Sequence, residues 1–266
     1  MAWPNHRCVT PAPPGAGVGS TPVEEPACRV DRRGDVFVVT MCHGDNRFDP
    51  TMVEALGAAL NEVEAAGGRA ALVTTGEGKF FSNGLALEWM LRGAAEGDAD
   101  RSRRSLEGVY ALLARILTFP MPTVAAVNGH WFGAGALLGL VHDRRVARVE
   151  RGWFCMPEAT MGLGIALPLM EVLRATLPVR AFREICVTAQ RVGAAEAVEL
   201  GFVAEATDGD HVLDRAISWA DAHTSADRAA IADIKETMFA PTLAVLRGDA
   251  PGSRAHRPAG GRGQPG

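Results

Sequence analysis

Two stretches of this 266-residue chain place glycines where a strand would hand over to a helix. The first is Gly76-Glu77-Gly78-Lys79-Phe80-Phe81-Ser82-Asn83-Gly84-Leu85-Ala86-Leu87. The second is Asn128-Gly129-His130-Trp131-Phe132-Gly133-Ala134-Gly135-Ala136-Leu137-Leu138-Gly139. Glycine permits φ > 0 and close approach of main chain, so amide groups near a helix N-terminus can face an anion. Two such loops directed at one point would together bind a single oxygen anion, the device that stabilises charge in acyl chemistry. Each loop alone also reads as a tight strand–helix turn.

Other chemistries fit the residues less well. Gly133-x-Gly135-x-x-x-Gly139 superficially resembles a dinucleotide fingerprint, but His130-Trp131-Phe132 intervene between the strand and its first glycine. His43, His130 and His142 invite a hydrolase reading, yet no Gly-x-Ser-x-Gly elbow exists and Ser82 sits beside Asn83. The cysteines, Cys8, Cys28, Cys42, Cys155 and Cys186, form no Cys-x-x-Cys and have no histidines at zinc-ligand spacing. The reading is reduced thiols and no metal.

The elements that must carry the two loops alternate along the chain. Val30 to Asp31 and Val36 to Met41 read as a hairpin feeding a buried strand. Asp49-Pro50 caps a helix with Met52, Leu56, Leu60 and Val63 on one stripe, and Ala70 to Thr75 is the next strand. A helix from about 104 to 117 then precedes the strand Thr123 to Val127, and 145–149 with 153–156 gives further strand. From about Leu167 the signals are almost wholly helical, with apolar stripes in 167–176, 180–187, 194–200, 211–222 and 226–239. The class is α/β with a helical segment behind it.

Composition bounds the partners. The chain is 47% hydrophobic and 22% charged, a globular balance, and its net charge is −4. One Arg stands against two Glu in residues 1–28 and four Arg against one Asp in 247–266, so the body between is more acidic than the whole. That excludes a basic stripe for nucleic acid. No run approaches the roughly 18 apolar residues that cross a bilayer. The start lacks a signal-peptide pattern and the end lacks a Ser-Lys-Leu address, which makes the cytoplasm the expected location. Pro- and Gly-rich residues 1–27 and 248–266 read as disordered tails.

The two loops also carry a family resemblance. The chain resembles the enoyl-CoA hydratase/isomerase (crotonase) superfamily over about 29 to 246. Gly78-Lys79-Phe80-Phe81-Ser82-Asn83-Gly84 is especially similar to its plant-type Δ3,Δ2-enoyl-CoA isomerases. Further marks are Gly44-Asp45-Asn46-Arg47-Phe48, Pro122 to Gly129, His142-Asp143, Met156-Pro157-Glu158-Ala159-Thr160-Met161-Gly162-Leu163, and the stretch from Thr188 to Gly201. Any one is weak; their order and spacing are specific.

The resemblance implies a crotonase-like ββα spiral core over 28–190. It also implies a C-terminal helical trimerisation region over 191–247, with assembly as a homotrimer or hexamer. It implies an acyl-CoA thioester as substrate, no further cofactor, and a thioester oxygen held by the backbone N–H groups of Asn83 and Ala134. The family's hydratases use two glutamates to activate water. The first position falls on Leu137, which accepts no proton, and the second on Glu158. One carboxylate suits moving a proton from C2 to C4 of a 3-enoyl-CoA through an enolate. Leu137, Trp131, Phe132 and Leu85 are the expected pocket residues, and Arg47 and Lys235 the expected CoA contacts. The alternatives are a hydratase-like enzyme of the same superfamily and a non-catalytic acyl-CoA-binding homologue, the latter because Ala86, Ala134 and Leu137 depart from common patterns.

Overall fold

The computed structural model describes residues 26–249. The tails read over 1–27 and 248–266 therefore lie outside the described residues except at their inner edges. The chain opens with the antiparallel hairpin β1 (Cys28–Arg33) and β2 (Val36–Met41), then α1 (Pro50–Ala65). Asp49 caps α1 by accepting from the Met52 amide at 2.8 Å, and Pro50 occupies the first turn, where no amide is needed.

Three turns of a strand–strand–helix spiral follow. The first is β3 (Ala71–Gly76), β4 (Phe80–Ser82) and the helices α2 (Leu87–Ala95) and α3 (Arg101–Leu117). The second is β5 (Thr123–Val127), β6 (His130–Phe132) and α4 (Ala134–Leu140); the third is β7 (Arg144–Arg148), β8 (Phe154–Cys155) and α5 (Leu167–Thr176). The chain continues through α6 (Val179–Thr188), α7 (Ala194–Glu199), β9 (Glu205–Thr207), α8 (Val212–Asp221), α9 (Arg228–Met238) and α10 (Ala240–Leu246).

The long strands form a six-stranded sheet in the order β1-β2-β3-β5-β7-β9, parallel beyond the first pair. The short ones form a second parallel sheet, β4-β6-β8. Both faces of the larger sheet are covered, which is why its strands are continuous apolar runs. Val36, Val38, Ala71, Val73, Val124, Ala126 and Val146 pack beneath Val212, Ala216 and Ala220 of α8. The alternate residues, Phe37, Val39, Leu72, Ala125 and Val127, enter the main core with α1, α3 and α4.

Two expectations change. The segment read as helical from 191 contains β9, which pairs with β7, so residues up to 207 complete the α/β body. The Asn128-Gly129 turn leads first into β6, whose three residues are too short for a period-2 pattern to register, and only then into α4.

Candidate active site

Each glycine loop leaves a short strand of the second sheet. In the first, Ser82 ends β4 fully buried, with its hydroxyl donating to the Asn46 carbonyl at 2.6 Å. Gly84 has φ +79, and a β-carbon on it would lie 2.7 Å from the Phe132 carbonyl oxygen and 3.3 Å from the Ala134 nitrogen. No side chain fits where the two loops touch. In the second, Gly133 has φ +51 and donates to the Cys155 carbonyl at 2.9 Å, turning the chain from β6 into α4.

The remaining glycines of the second loop have a steric role. A β-carbon on Gly135 would stand 2.3 Å from the Ser82 carbonyl oxygen, and one on Gly139 would stand 2.5 Å from the Trp131 ring. They let α4 lie directly on β4 and on Trp131. This accounts for the spacing that resembled a dinucleotide fingerprint.

Around the first loop nearly every amide is engaged. Asn83 N–H donates to the Asp45 carbonyl at 3.0 Å, Gly84 N–H to the Ser82 hydroxyl at 3.3 Å, and Ala86 N–H to the Phe48 carbonyl at 3.2 Å. The Leu85 amide has no acceptor among the described residues, and neither does that of Ala134 at the start of α4. The amide expected from Asn83 is thus consumed by the fold, and Leu85, one residue beyond the left-handed Gly84, supplies the open donor.

Glu158 follows β8, in a tight turn where its own carbonyl accepts from Met161 and Leu163 at 3.1 and 2.9 Å. Its Oε1 lies 3.6 Å from where a Gly133 β-carbon would be, against the peptide that precedes Ala134. Its Oε2 is buried with no hydrogen-bond partner among the described residues. Burial raises the carboxyl above its ordinary pKa, opposed only in part by a hydrogen bond to its own main-chain amide. A buried, underpaired carboxylate of raised pKa is a poised proton acceptor.

The other expected residues divide. Leu137 on α4 is wholly buried, and Leu85 is half-buried against the core. Trp131 is not a pocket wall. It is fully buried, its ring 4.8 Å from Phe154 and 6.2 Å from Phe202, with Nε1 donating to the Gly152 carbonyl at 3.1 Å. Residues 131 and 132 point to opposite faces of β6. Phe132 stacks on His130 at 5.5 Å beneath the Arg191 guanidinium.

The two expected CoA contacts also part. Arg47 is exposed next to the first loop, 3.4 Å from Asp45. Lys235 is unavailable to CoA: it is 6% exposed, and its ammonium donates to the Phe119 and Met121 carbonyls at 3.1 and 3.0 Å and to Asp143 at 2.7 Å. Those bonds use its three protons to tie α9 to the body. Among the described residues no Ser–His pair forms either, since Ser82 serves Asn46, and His142 is buried between the Leu138 carbonyl and Thr74. Among the described residues no group of three or more His, Cys, Asp or Glu could hold a metal ion, and no helix is long and apolar enough to cross a membrane.

The spiral of paired strands and helices, with two loop amides left open where adjacent turns meet, is the crotonase fold. A probable enoyl-CoA hydratase from Mycobacterium tuberculosis superposes with a TM-score of 0.75 at 27% identity, covering 84% of this chain and 92% of that one. The sequence profile of the enoyl-CoA hydratase/isomerase family matches residues 31–248, and the chain belongs to that family. The peroxisomal enoyl-CoA delta isomerase 2 of Arabidopsis thaliana is 36% identical over 180 residues, 66% of this chain and 75% of the relative. A carnitinyl-CoA dehydratase of Salmonella enteritidis is 33% identical over 211 residues, 77% of each. The protein is an enzyme of the enoyl-CoA isomerase/hydratase type.

Proposed function

We propose that the protein converts a 3-enoyl-CoA to the trans-2-enoyl-CoA with Glu158 as the sole acid–base group. The observation that carries this is the pairing of one buried, partner-poor carboxylate with a fully buried Leu137, where a second carboxylate would be needed to activate water. The thioester oxygen sits between the Leu85 and Ala134 amides. Glu158 takes a proton from C2, negative charge moves onto the thioester oxygen, and the two donors stabilise the enolate. The same carboxyl returns the proton to C4, which leaves the double bond conjugated with the thioester. Arg47, exposed next to the first loop, is the expected contact for a CoA phosphate.

The same reading extends to assembly. On α9, Ile234 and Met238 are 56% and 63% exposed, an apolar strip suited to burial against another copy in a trimer.

The test is a parallel assay of purified protein on a 3-enoyl-CoA and on the matching trans-2-enoyl-CoA, following formation and loss of the conjugated thioester. Isomerisation without hydration is the expected result. Hydration of the 2-enoyl thioester would overturn the single-carboxylate reading, and binding without turnover of either would favour a non-catalytic acyl-CoA binder.

A further inference from the structure

Asn46 is an unusual residue to find fully buried. It has φ +52 in the left-handed region, which Asn tolerates better than other side-chain-bearing residues. Its Oδ1 accepts from the His43 amide at 3.0 Å, its Nδ2 donates to the Phe80 carbonyl at 3.1 Å, and its own carbonyl accepts from the Ser82 hydroxyl at 2.6 Å. Gly76 leaves room for the side chain, since a β-carbon there would fall 2.8 Å from Nδ2. One side chain thus joins the 43–46 turn to β4, and its main chain anchors the serine that receives the Gly84 amide.

The neighbours of Asn46 grip the same loop from both sides. The Asp45 carbonyl accepts from Asn83 N–H and the Asp45 carboxylate accepts from the Asn83 side chain at 3.2 Å. Beyond Leu85, the Phe48 amide donates to the Gly84 carbonyl at 2.8 Å, and Phe48 and Leu85 form a parallel bridge. Asp45, Asn46 and Phe48 therefore bond to Ser82, Asn83, Gly84 and Ala86, on both sides of Leu85, whose own amide stays open.

We infer that Asn46 is a positioning residue for the oxyanion-binding amide of Leu85. The inference rests on the proposed role of Leu85 and Ala134, and adds that the 43–48 turn sets where one of the two donors points. Asn46 touches no reacting atom. It acts through Phe80, Ser82 and Gly84, and its loss moves the Leu85 amide without removing it. A displacement of about 1 Å at such a donor costs roughly 100-fold in rate.

Three variants separate geometry from folding. Asn46→Gly keeps the left-handed backbone and loses both side-chain bonds; Asn46→Asp keeps the acceptor for His43 and sets a carboxylate against the Phe80 carbonyl. Ser82→Ala removes only the hydroxyl link, so it tests the clamp if the Asn46 variants fold poorly. Each is measured for melting temperature, butyryl-CoA affinity, kcat on a 3-enoyl-CoA, and the absorption band of a bound aryl-conjugated enoyl-CoA. That band moves to longer wavelength when the thioester oxygen is polarised by hydrogen bonds. The expected result is a kcat reduced about 10- to 100-fold and a diminished band shift, with butyryl-CoA affinity retained. Folded variants that shift the band as far as the parent overturn the clamp alone. A parent protein that leaves the band unmoved has no oxyanion hole at Leu85, and overturns the site and the clamp together.

Discussion

Gly84 and Ala134 come from different turns of the spiral, yet a β-carbon on Gly84 would lie 3.3 Å from the Ala134 nitrogen. Two open amides, those of Leu85 and Ala134, therefore flank a single contact between loops 50 residues apart. Pairing β4 with β6 creates that contact, and the absence of side chains at Gly84 and Gly135 lets the layers close. Any change that separates the loops separates the donors.

Gly84→Ala puts this to the test. The new methyl meets the Phe132 carbonyl at 2.7 Å in a left-handed conformation. Strain and overpacking together should cost about 2–4 kcal/mol. Activity should fall with it, because the loops cannot separate without moving a donor. Gly78→Ala is the control: φ there is +73, but nothing lies within 4 Å of the added carbon. It should lower the melting temperature slightly and leave kcat unchanged. Equal kinetic effects in the two variants would show that loop contact is irrelevant to the chemistry.

Glu158→Gln removes the proton acceptor and keeps the shape. The expected loss in kcat is about 10²- to 10⁴-fold, the range for a positioned acid–base group. Affinity for a saturated acyl-CoA should be unchanged, because the amide donors are untouched. Turnover near the parent rate would eliminate Glu158 as the base.

The two glycine loops are readable from residue types, the remaining site residues from the family resemblance, and the exceptions have physical causes. The loops stand out because glycine has few uses where a strand hands over to a helix, whereas Glu158 and Leu137 come from the family resemblance. The resemblance points to Asn83 as the donor, and the sequence does not reveal that Asp45 occupies its amide. Trp131 and Phe132 are both expected in the pocket, but successive strand residues face opposite ways and Trp131 turns into the core. β4, β6 and β8 span three, three and two residues, too short for a pattern, and are held by partners distant in the chain. β9, three residues long, escapes periodicity for the same reason, and the family resemblance supplies the spiral where periodicity cannot.

Lys235 supplies a prediction of the opposite sort. Its ammonium closes a clasp between α9, the Phe119 and Met121 carbonyls and Asp143, which in turn accepts from the Thr123 amide and hydroxyl. Lys235→Met leaves two buried carbonyls and a carboxylate short of a donor. It should destabilise the fold by about 2–3 kcal/mol, with Asp143 partly solvated and so limiting the cost. Affinity for CoA should not change. A selective loss of CoA affinity at an unchanged melting temperature would restore Lys235 as a ligand contact.

Burial of Glu158 ties activity and stability to pH with opposite signs. Desolvation raises its folded pKa above the unfolded carboxyl value, the reverse of an ion-paired carboxylate. The base must be ionised to accept the C2 proton, so kcat/KM should fall as pH drops through that raised value. Stability runs the other way. Between the unfolded and folded pKa values the folded chain keeps a proton that the unfolded chain has lost, so folding weakens as pH rises across that window. Above it the penalty is constant, the cost of a buried charge with one unpartnered oxygen. Glu158→Gln carries no such penalty. Its melting temperature relative to the parent should therefore rise with pH and then level off, so that the inactive variant is the more stable protein at neutral pH. Melting curves of both from about pH 4 to pH 8 measure the difference directly. A difference that does not vary with pH would mean that the Glu158 carboxyl titrates alike in the folded and unfolded chain, which is incompatible with a desolvated base.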